Sequence, residues 1–120
     1  MYCQRNKFIA LERAHEAARL VDRILCRLRG PRRSLRDQGS RAMESVVLNL
    51  SEGNAKTGRD KARFFRIALG SSYEANSALR LVAAYGLVPV EEVDVARAKL
   101  DEVQRMTWAS SVGWRGAKRR

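Results

Sequence analysis

The stretch of sequence that decides the fold runs from residue 38 to residue 86 and reads QGSRAMESVVLNLSEGNAKTGRDKARFFRIALGSSYEANSALRLVAAYG. Apolar side chains recur in it every three or four residues, which is the spacing of one face of an α-helix. A polar break at residues 53–60 interrupts the pattern. Gly53 can adopt the left-handed backbone conformation that ends a helix, and Asp60 can cap the N-terminus of the next helix. The stretch therefore predicts two consecutive helices joined by a short loop.

A row of polar residues follows the same helical rhythm in both segments. Its members, at heptad spacing, are Gln38, Ser45, Asn49 and Glu52 in the first helix and Ser71 and Glu74 in the second. Burying such groups is costly unless they pair with one another. We therefore predict a structural polar seam in which these side chains, the two glutamates included, are buried between the helices and hydrogen-bonded.

The order of these motifs resembles the bacterial four-helix-bundle family of ribosomal RNA intervening-sequence proteins. The matching residues are Gln38, Arg41-Ala42, Ser45, Asn-x-x-Glu-Gly at 49–53, the aromatic pair at 64–65, and Ala-x-Gly-Ser-x-x-Glu at 68–74. The sequence departs from the family pattern at Val46-Val47, where Ile-Pro is usual, and in the basic character of the segment before the aromatic pair.

The resemblance implies a four-helix bundle but no agreed biochemical activity. The family is structurally similar to the accessory variability determinant of diversity-generating retroelements, which forms a pentameric barrel and binds a reverse transcriptase and nucleic acid. By this analogy, the resemblance implies a homopentamer and an accessory role beside a reverse transcriptase.

The sequence pattern also predicts helices in the remainder of the chain. A heptad row from Leu11 to Leu28 predicts a first helix over residues 8–29, ended by Gly30-Pro31. The third helix is expected over 61–85, with Gly86 as its stop, and the fourth after Pro89. The sequence predicts an all-α, up-down-up-down four-helix bundle over residues 1–112, followed by a basic C-terminal tail at 113–120. Small residues in the third helix and a surplus of apolar bulk favour a homo-oligomer.

Net charge is the strongest global property of the chain. The formal charge of +11 over 120 residues is concentrated in the two ends and the third helix. Such asymmetry indicates a polyanion or an acidic protein as partner, although it can also serve solubility alone. No run of 18 apolar residues occurs, and the N-terminus lacks the apolar segment of a signal peptide, so we expect a cytoplasmic protein.

Basic residues fall into four groups that we predict to bind nucleic acid through phosphate contacts. On the first helix, Arg27 has no acid three or four residues from it. The groups are Arg19, Arg23 and Arg27 on the first helix; Arg32, Arg33 and Arg36 in the first loop; Lys56, Arg59 and Arg63 around the second loop; and Arg115, Lys118, Arg119 and Arg120 in the tail. Hydrated surface residues are the alternative interpretation of each group.

The sequence does not indicate an enzyme. His15 is its one histidine, which argues against a histidine metal cage or a Ser-His-Asp triad. Cys3 and Cys26 lack zinc-type spacing, and Cys26 falls near the apolar row of the first helix, without an adjacent histidine. The second loop lacks the G-x-x-x-x-G-K-[ST] order of a phosphate-binding P-loop. We expect no cofactor and no metal.

The function that these observations favour is a non-enzymatic, basic, oligomeric protein that binds nucleic acid or a ribonucleoprotein. A protein-only scaffold for an acidic partner, such as a polymerase surface, is the alternative. A third class, a peripheral membrane protein that binds through the arginines of the first helix, is less favoured. Nothing in the sequence distinguishes RNA from DNA or names the cellular process.

Overall fold

The computed structural model describes residues 8–119 and, of these, the side chains of residues 8–111. It contains four α-helices: α1 (Ile9–Leu25), α2 (Arg33–Asn54), α3 (Gly58–Ala84) and α4 (Val90–Arg119), with a 3₁₀ turn at Gly30–Arg32. Each helix packs against the next one in the chain, and α4 packs back against α1. Short loops join the helices, and no strand occurs among the described residues. The predicted all-α four-helix bundle is confirmed.

The core of α2 lies one residue away from the predicted polar row. Its buried residues at heptad spacing are Gly39, Met43, Val46, Leu50 and Gly53. One residue turns a helix by about 100°, so the polar row lies on the flank of α2 that faces α3 and solvent.

The prediction that Glu52 and Glu74 are buried is therefore wrong. Both carboxylates are exposed, and Glu52 forms a surface ion pair with Lys56 at 3.3 Å. The physical reason is that the apolar row of α2 already fills the bundle interior, so that a charged row need not be desolvated.

The core of α3 shows a similar shift near its start. Phe65 is buried and stacks on Phe8 with ring centroids 5.9 Å apart, whereas Phe64 is half-buried. Ser72, and not Ser71, is buried, and its hydroxyl donates to the carbonyl of Leu69 at 2.6 Å. A buried serine in this helix is thus satisfied by its own backbone.

Two predicted helix signals behave differently from expectation. Gly53 lies inside α2 and is buried; a Cβ built there would be 2.7 Å from the Phe65 ring, so this glycine permits close packing and does not end the helix. The left-handed residue at this loop is Gly58, with φ of +56°, which opens α3, and Asp60 lies in the first turn instead of at the cap.

The end of α3 follows a simple capping rule, whereas the end of α1 and the start of α2 do not. Gly86, with φ of +68°, ends α3 as predicted: its N–H donates to the carbonyl of Ala83, and the N–H of Leu87 donates to that of Val82. This pair of bonds is a Schellman motif. The first helix ends at Leu25, four residues earlier than predicted, and the second begins at Arg33 without a side-chain cap.

The C-terminal helix continues past residue 112, where we expected the bundle to give way to a tail. A separate role for residues 113–120 stays a prediction. Cys3, Arg120 and the side chains of Arg115, Lys118 and Arg119 lie outside the described part of the chain.

Candidate nucleic-acid interface

The antiparallel helices divide the predicted basic residues between opposite ends of the bundle. Arg32 and Arg33 lie at the end where α1 meets α2, whereas Lys56 and Arg59 lie at the end where α2 meets α3. The 22 residues of α2 separate these ends by about 33 Å at 1.5 Å per residue. The two loop groups therefore do not form one binding patch.

The arginine ladder of α1 is partly neutralised. Arg27 pairs with Glu92 of α4, and its Nε donates to the Arg23 carbonyl at 3.1 Å. The expectation that Arg27 lacks an acidic partner is wrong, because the partner comes from another helix and not from its own neighbours in sequence. Arg19 and Arg23 are exposed without an ion pair among the described residues, but Glu12 lies on the same side of α1, seven residues before Arg19.

The arginines of the first loop hold the end of the bundle together. The Arg32 guanidinium lies 4.2 Å from the centre of the Tyr85 ring, in cation–π geometry. Arg36 pairs with Asp37 at 3.4 Å and also reaches the Leu28 carbonyl at 3.5 Å. Arg33 is exposed and makes no ion pair within residues 8–111.

The outward side of α3 is a basic surface. Four exposed arginines lie along it, and none forms an ion pair with a described residue; we call this set the α3 basic face: Arg59, Arg63, Arg66 and Arg80. Arg59, Arg66 and Arg80 share one heptad position, which Tyr73 also occupies. The two acids of α3 border this face: Asp60 lies three residues before Arg63, and Glu74, eleven residues after Arg63, lies on the same side of the helix as that arginine.

Sequence reasoning identified Arg59 and Arg63 but missed Arg66 and Arg80. The predicted groups consist of arginines close together in the chain, in loops or at four-residue spacing on the first helix, whereas Arg66 and Arg80 are 14 residues apart on one side of a long helix. The signal was available as a seven-residue spacing. From Arg59 to Arg80 the face extends about 32 Å along the helix axis, since 21 steps of 1.5 Å separate them.

Half of the predicted polar seam is hydrogen-bonded in a groove between α2 and α3. The hydroxyls of Ser45 and Ser71 are 2.7 Å apart, and the Asn49 amide donates to the Ser45 carbonyl at 2.9 Å and to its hydroxyl at 3.1 Å. Gln38 and Glu74 are exposed and line the same groove, which has a volume of about 260 Å³. The groove therefore has a hydrogen-bonded floor and an open rim.

The α1–α4 side carries balanced charge. Arg13, Glu16, Lys99 and Glu102 form a closed ring of ion pairs with distances of 3.1 to 3.5 Å. The hydrogen bond from Lys99 lowers the pKa of Glu16, and the same bond raises the pKa of Lys99. Because the two basic and two acidic side chains of this ring pair with one another, the ring has no net charge that would attract a polyanion.

Other chemistry finds little support in the described residues. No group of three His, Cys, Asp or Glu side chains there could hold a metal ion, and no helix there is long and apolar enough to cross a membrane. Cys26 was expected near the apolar row, but it is exposed, because it follows Asp22 by four residues and Arg23 by three on the outward side of this segment. His15 is exposed, at the edge of an apolar groove of about 360 Å³ between α1 and α2.

Comparison with known proteins agrees with the fold. No curated protein sequence matches the chain. The family model described as 23S rRNA-intervening sequence protein matches residues 6–109, which include α1, α2, α3, the first 20 residues of α4 and every motif that carries the resemblance. The chain therefore belongs to the 23S rRNA-intervening sequence protein family.

Proposed function

We propose that this protein is a non-catalytic nucleic-acid-binding protein of the cytoplasm that holds the phosphate backbone along its α3 basic face. The observation that carries the proposal is that four exposed arginines on one helix side lack any ion pair with a described residue. An arginine guanidinium presents a planar fork of donors that fits a phosphate group. Arginines already paired with carboxylates would have to give up that pairing first.

The charge distribution elsewhere in the molecule supports the choice of α3. Arg27, Lys56 and the α1–α4 ring are engaged with carboxylates, and Arg32 and Arg36 contact the end of the bundle. Of the four helices, α3 has the largest formal net charge, with five Lys or Arg residues against two acids. The words of the family description favour RNA over DNA as the first nucleic acid to test. A role for Arg19, Arg23 and Arg33 stays a prediction, as does that of the tail.

The test is a fluorescence-anisotropy titration with single- and double-stranded RNA and DNA at low and moderate salt. Arg63→Glu with Arg66→Glu reverses two charges on α3; Arg19→Glu with Arg23→Glu makes the same charge change on α1 and serves as the matched control. We expect the α3 pair to weaken binding by about tenfold or more and the α1 pair to have a smaller effect, with affinity falling steeply as salt rises.

Two results would contradict the proposal. Equal losses from both pairs would mean either that net charge alone drives binding or that the α1 arginines bind equally, and in both cases the assignment to α3 would be abandoned. If folded wild-type protein retains no nucleic acid at low salt, the function itself is wrong. The protein-only scaffold then takes its place, and it predicts a stoichiometric complex with an acidic protein. An accessory role beside a reverse transcriptase, suggested by the family's structural relative, is the specific form of partner to test first.

Self-association is a second part of the proposal. Exposed apolar side chains lie on the surface of the bundle: Leu48, at 66% exposed, lines the apolar groove between α1 and α2, and Ile67 of α3 is 41% exposed. Such apolar patches commonly mark interfaces. Among the large aromatic residues, Tyr73, Tyr85 and Trp108 are exposed, whereas Phe65 is buried within the bundle.

The proposed assembly is a homo-oligomer, and the family resemblance suggests five copies. An oligomer would repeat the α3 basic face by symmetry and raise affinity through avidity. Light scattering tests this against the 13.6 kDa monomer mass. We expect Leu48→Glu to lower the mass, with Ile9→Glu as an exposed apolar control away from the groove; a monomeric wild type would refute assembly.

A further inference from the structure

Tyr73 occupies an unusual place for an aromatic residue in this bundle. Its side chain is 53% exposed, and it stands between Arg66 and Arg80 at intervals of seven residues. Two helical turns separate it from each arginine, which is about 10.5 Å along the axis. Phe65, by contrast, is buried against Phe8, and Phe64 is half-buried, so Tyr73 is the one exposed aromatic residue of α3.

A second exposed aromatic lies beside the same face. Arg97 of α4 donates to the Asn76 side chain at 2.9 Å, and this bond sets the antiparallel register of α3 and α4. Trp108, eleven residues after Arg97, therefore lies level with the residues just before Arg66, and it is 54% exposed. The register also brings Asp101 level with Tyr73, but this carboxylate is paired with Arg105.

We propose that the α3 basic face binds single-stranded nucleic acid, with Tyr73 stacking on an unpaired base whose neighbouring phosphates contact the flanking arginines. This inference rests on the proposed function and specifies its ligand. Bases in a duplex already stack on one another, and an aromatic ring on the convex side of a helix does not reach their faces. Unpaired bases offer a free face to any aromatic ring, and this stacking depends little on sequence.

Other aromatic residues fit this role less well. The Tyr85 ring is covered by the Arg32 guanidinium, and Phe64 is half-buried beside Arg63. Trp108 is the candidate for a second stacking position. A face of about 32 Å spans about nine nucleotides at the 3.4 Å per nucleotide of a stacked strand, which is the site size we expect.

The experiment measures binding of single-stranded and duplex RNA of equal length by wild type, Tyr73→Ala, Tyr73→Phe and Arg66→Ala. We expect Tyr73→Ala to weaken single-strand binding about fivefold or more and to leave duplex binding unchanged. Tyr73→Phe keeps the ring and should bind within about twofold of wild type. Tyr85→Ala is the matched control, an aromatic truncation away from the face, and should leave single-strand affinity unchanged.

Salt dependence separates stacking from charge. Removing a phosphate contact reduces the number of released counterions, so Arg66→Ala should lower the log–log salt slope by about 0.7 for a single strand. Tyr73→Ala should leave that slope as in wild type, because stacking releases no counterions. A merely structural effect of the substitution would lower both single-strand and duplex binding together.

The outcomes distinguish this inference from the proposed function. If wild type binds RNA but Tyr73→Ala binds single strands equally well, or loses single-strand and duplex binding alike, the stacking inference is overturned and the phosphate-binding function stands. A wild-type preference for duplex overturns it as well. If wild type binds neither form while folded, both proposals fail.

Discussion

The glycine at position 53 provides a sharp test of the packing described above. A Cβ on Gly53 would lie 2.7 Å from two atoms of the Phe65 ring and 3.1 Å from the Phe64 Cβ. Phe65 is 4% exposed and stacked on Phe8, so the ring has little room to move. We therefore expect Gly53→Ala to force a displacement in the core where α2 meets α3.

The magnitude follows from two opposing contributions. Overpacking a core costs about 1–3 kcal/mol, and a contact this close to a confined ring belongs in the upper part of that range. Replacing a helical glycine by alanine returns about 1 kcal/mol through the lower backbone entropy of the unfolded chain. The net expectation for Gly53→Ala is a loss of about 1–2 kcal/mol.

Gly70 supplies the matched control. It lies inside α3 with nothing within 4 Å of an added Cβ, so Gly70→Ala should stabilise the protein by up to about 1 kcal/mol. The same substitution thus has opposite signs at two helical glycines. Urea unfolding followed by helical circular dichroism, at one fixed protein concentration, measures both free energies of unfolding.

A further variant identifies the cause. Phe65→Leu removes the ring that the new methyl group would meet, so Gly53→Ala should cost less in that background than in the wild type. The packing argument is refuted if Gly53→Ala is as stable as wild type, or if its cost is the same with and without the Phe65 ring. Equal signs at Gly53 and Gly70 would lead to the same conclusion.

Two further predictions concern polar groups. The hydrogen bond from Lys99 lowers the pKa of Glu16 below its ordinary 4.5. The stability that the ion-pair ring supplies is therefore present above that pH and is lost as the pH falls through the lowered pKa. Thermal melts from neutral to acidic pH should show a smaller loss of stability for Glu16→Gln than for wild type, and an unchanged pH profile would count against the ring. Ser71→Ala removes the partner of the Ser45 hydroxyl and should lower the free energy of unfolding by about 0.5–1.5 kcal/mol. Glu52→Ala changes a surface residue and should stay within about 0.5 kcal/mol of wild type. Urea unfolding compares the two variants, and a larger loss for Glu52→Ala than for Ser71→Ala would mean that the glutamate is the buried member.

Much of the fold is local and could be predicted from the sequence. Four apolar helical patterns, separated by glycine and proline, specify four helices in order, and loops of a few residues leave antiparallel packing as the simplest arrangement. The end of α3 at Gly86 was predictable because a left-handed residue after a helix favours glycine. The family, too, follows from motifs that are contiguous in the chain.

The orientation of each helix depends on more than its own pattern. In α2 two rows share heptad spacing, one polar and one apolar, and they differ by a single residue. The sequence contains the apolar row, Gly39 to Gly53, but the prediction followed the polar motif and therefore placed the neighbouring side of α2 in the bundle interior. Burial of apolar area against α1 and α3 decides between them, since it is favourable only for the row that partners can cover.

Only the tertiary structure decided which charges remain available. The ion pair between Arg27 and Glu92 joins residues 65 positions apart, and the ring around Glu16 and Lys99 joins α1 to α4. Sequence shows the number of arginines and acids, but pairing requires side chains within a few ångströms, which only helix packing supplies. The α3 basic face is available for the same reason: no described carboxylate from a neighbouring helix pairs with its arginines. Arg27, in contrast, forms an ion pair with Glu92 of α4.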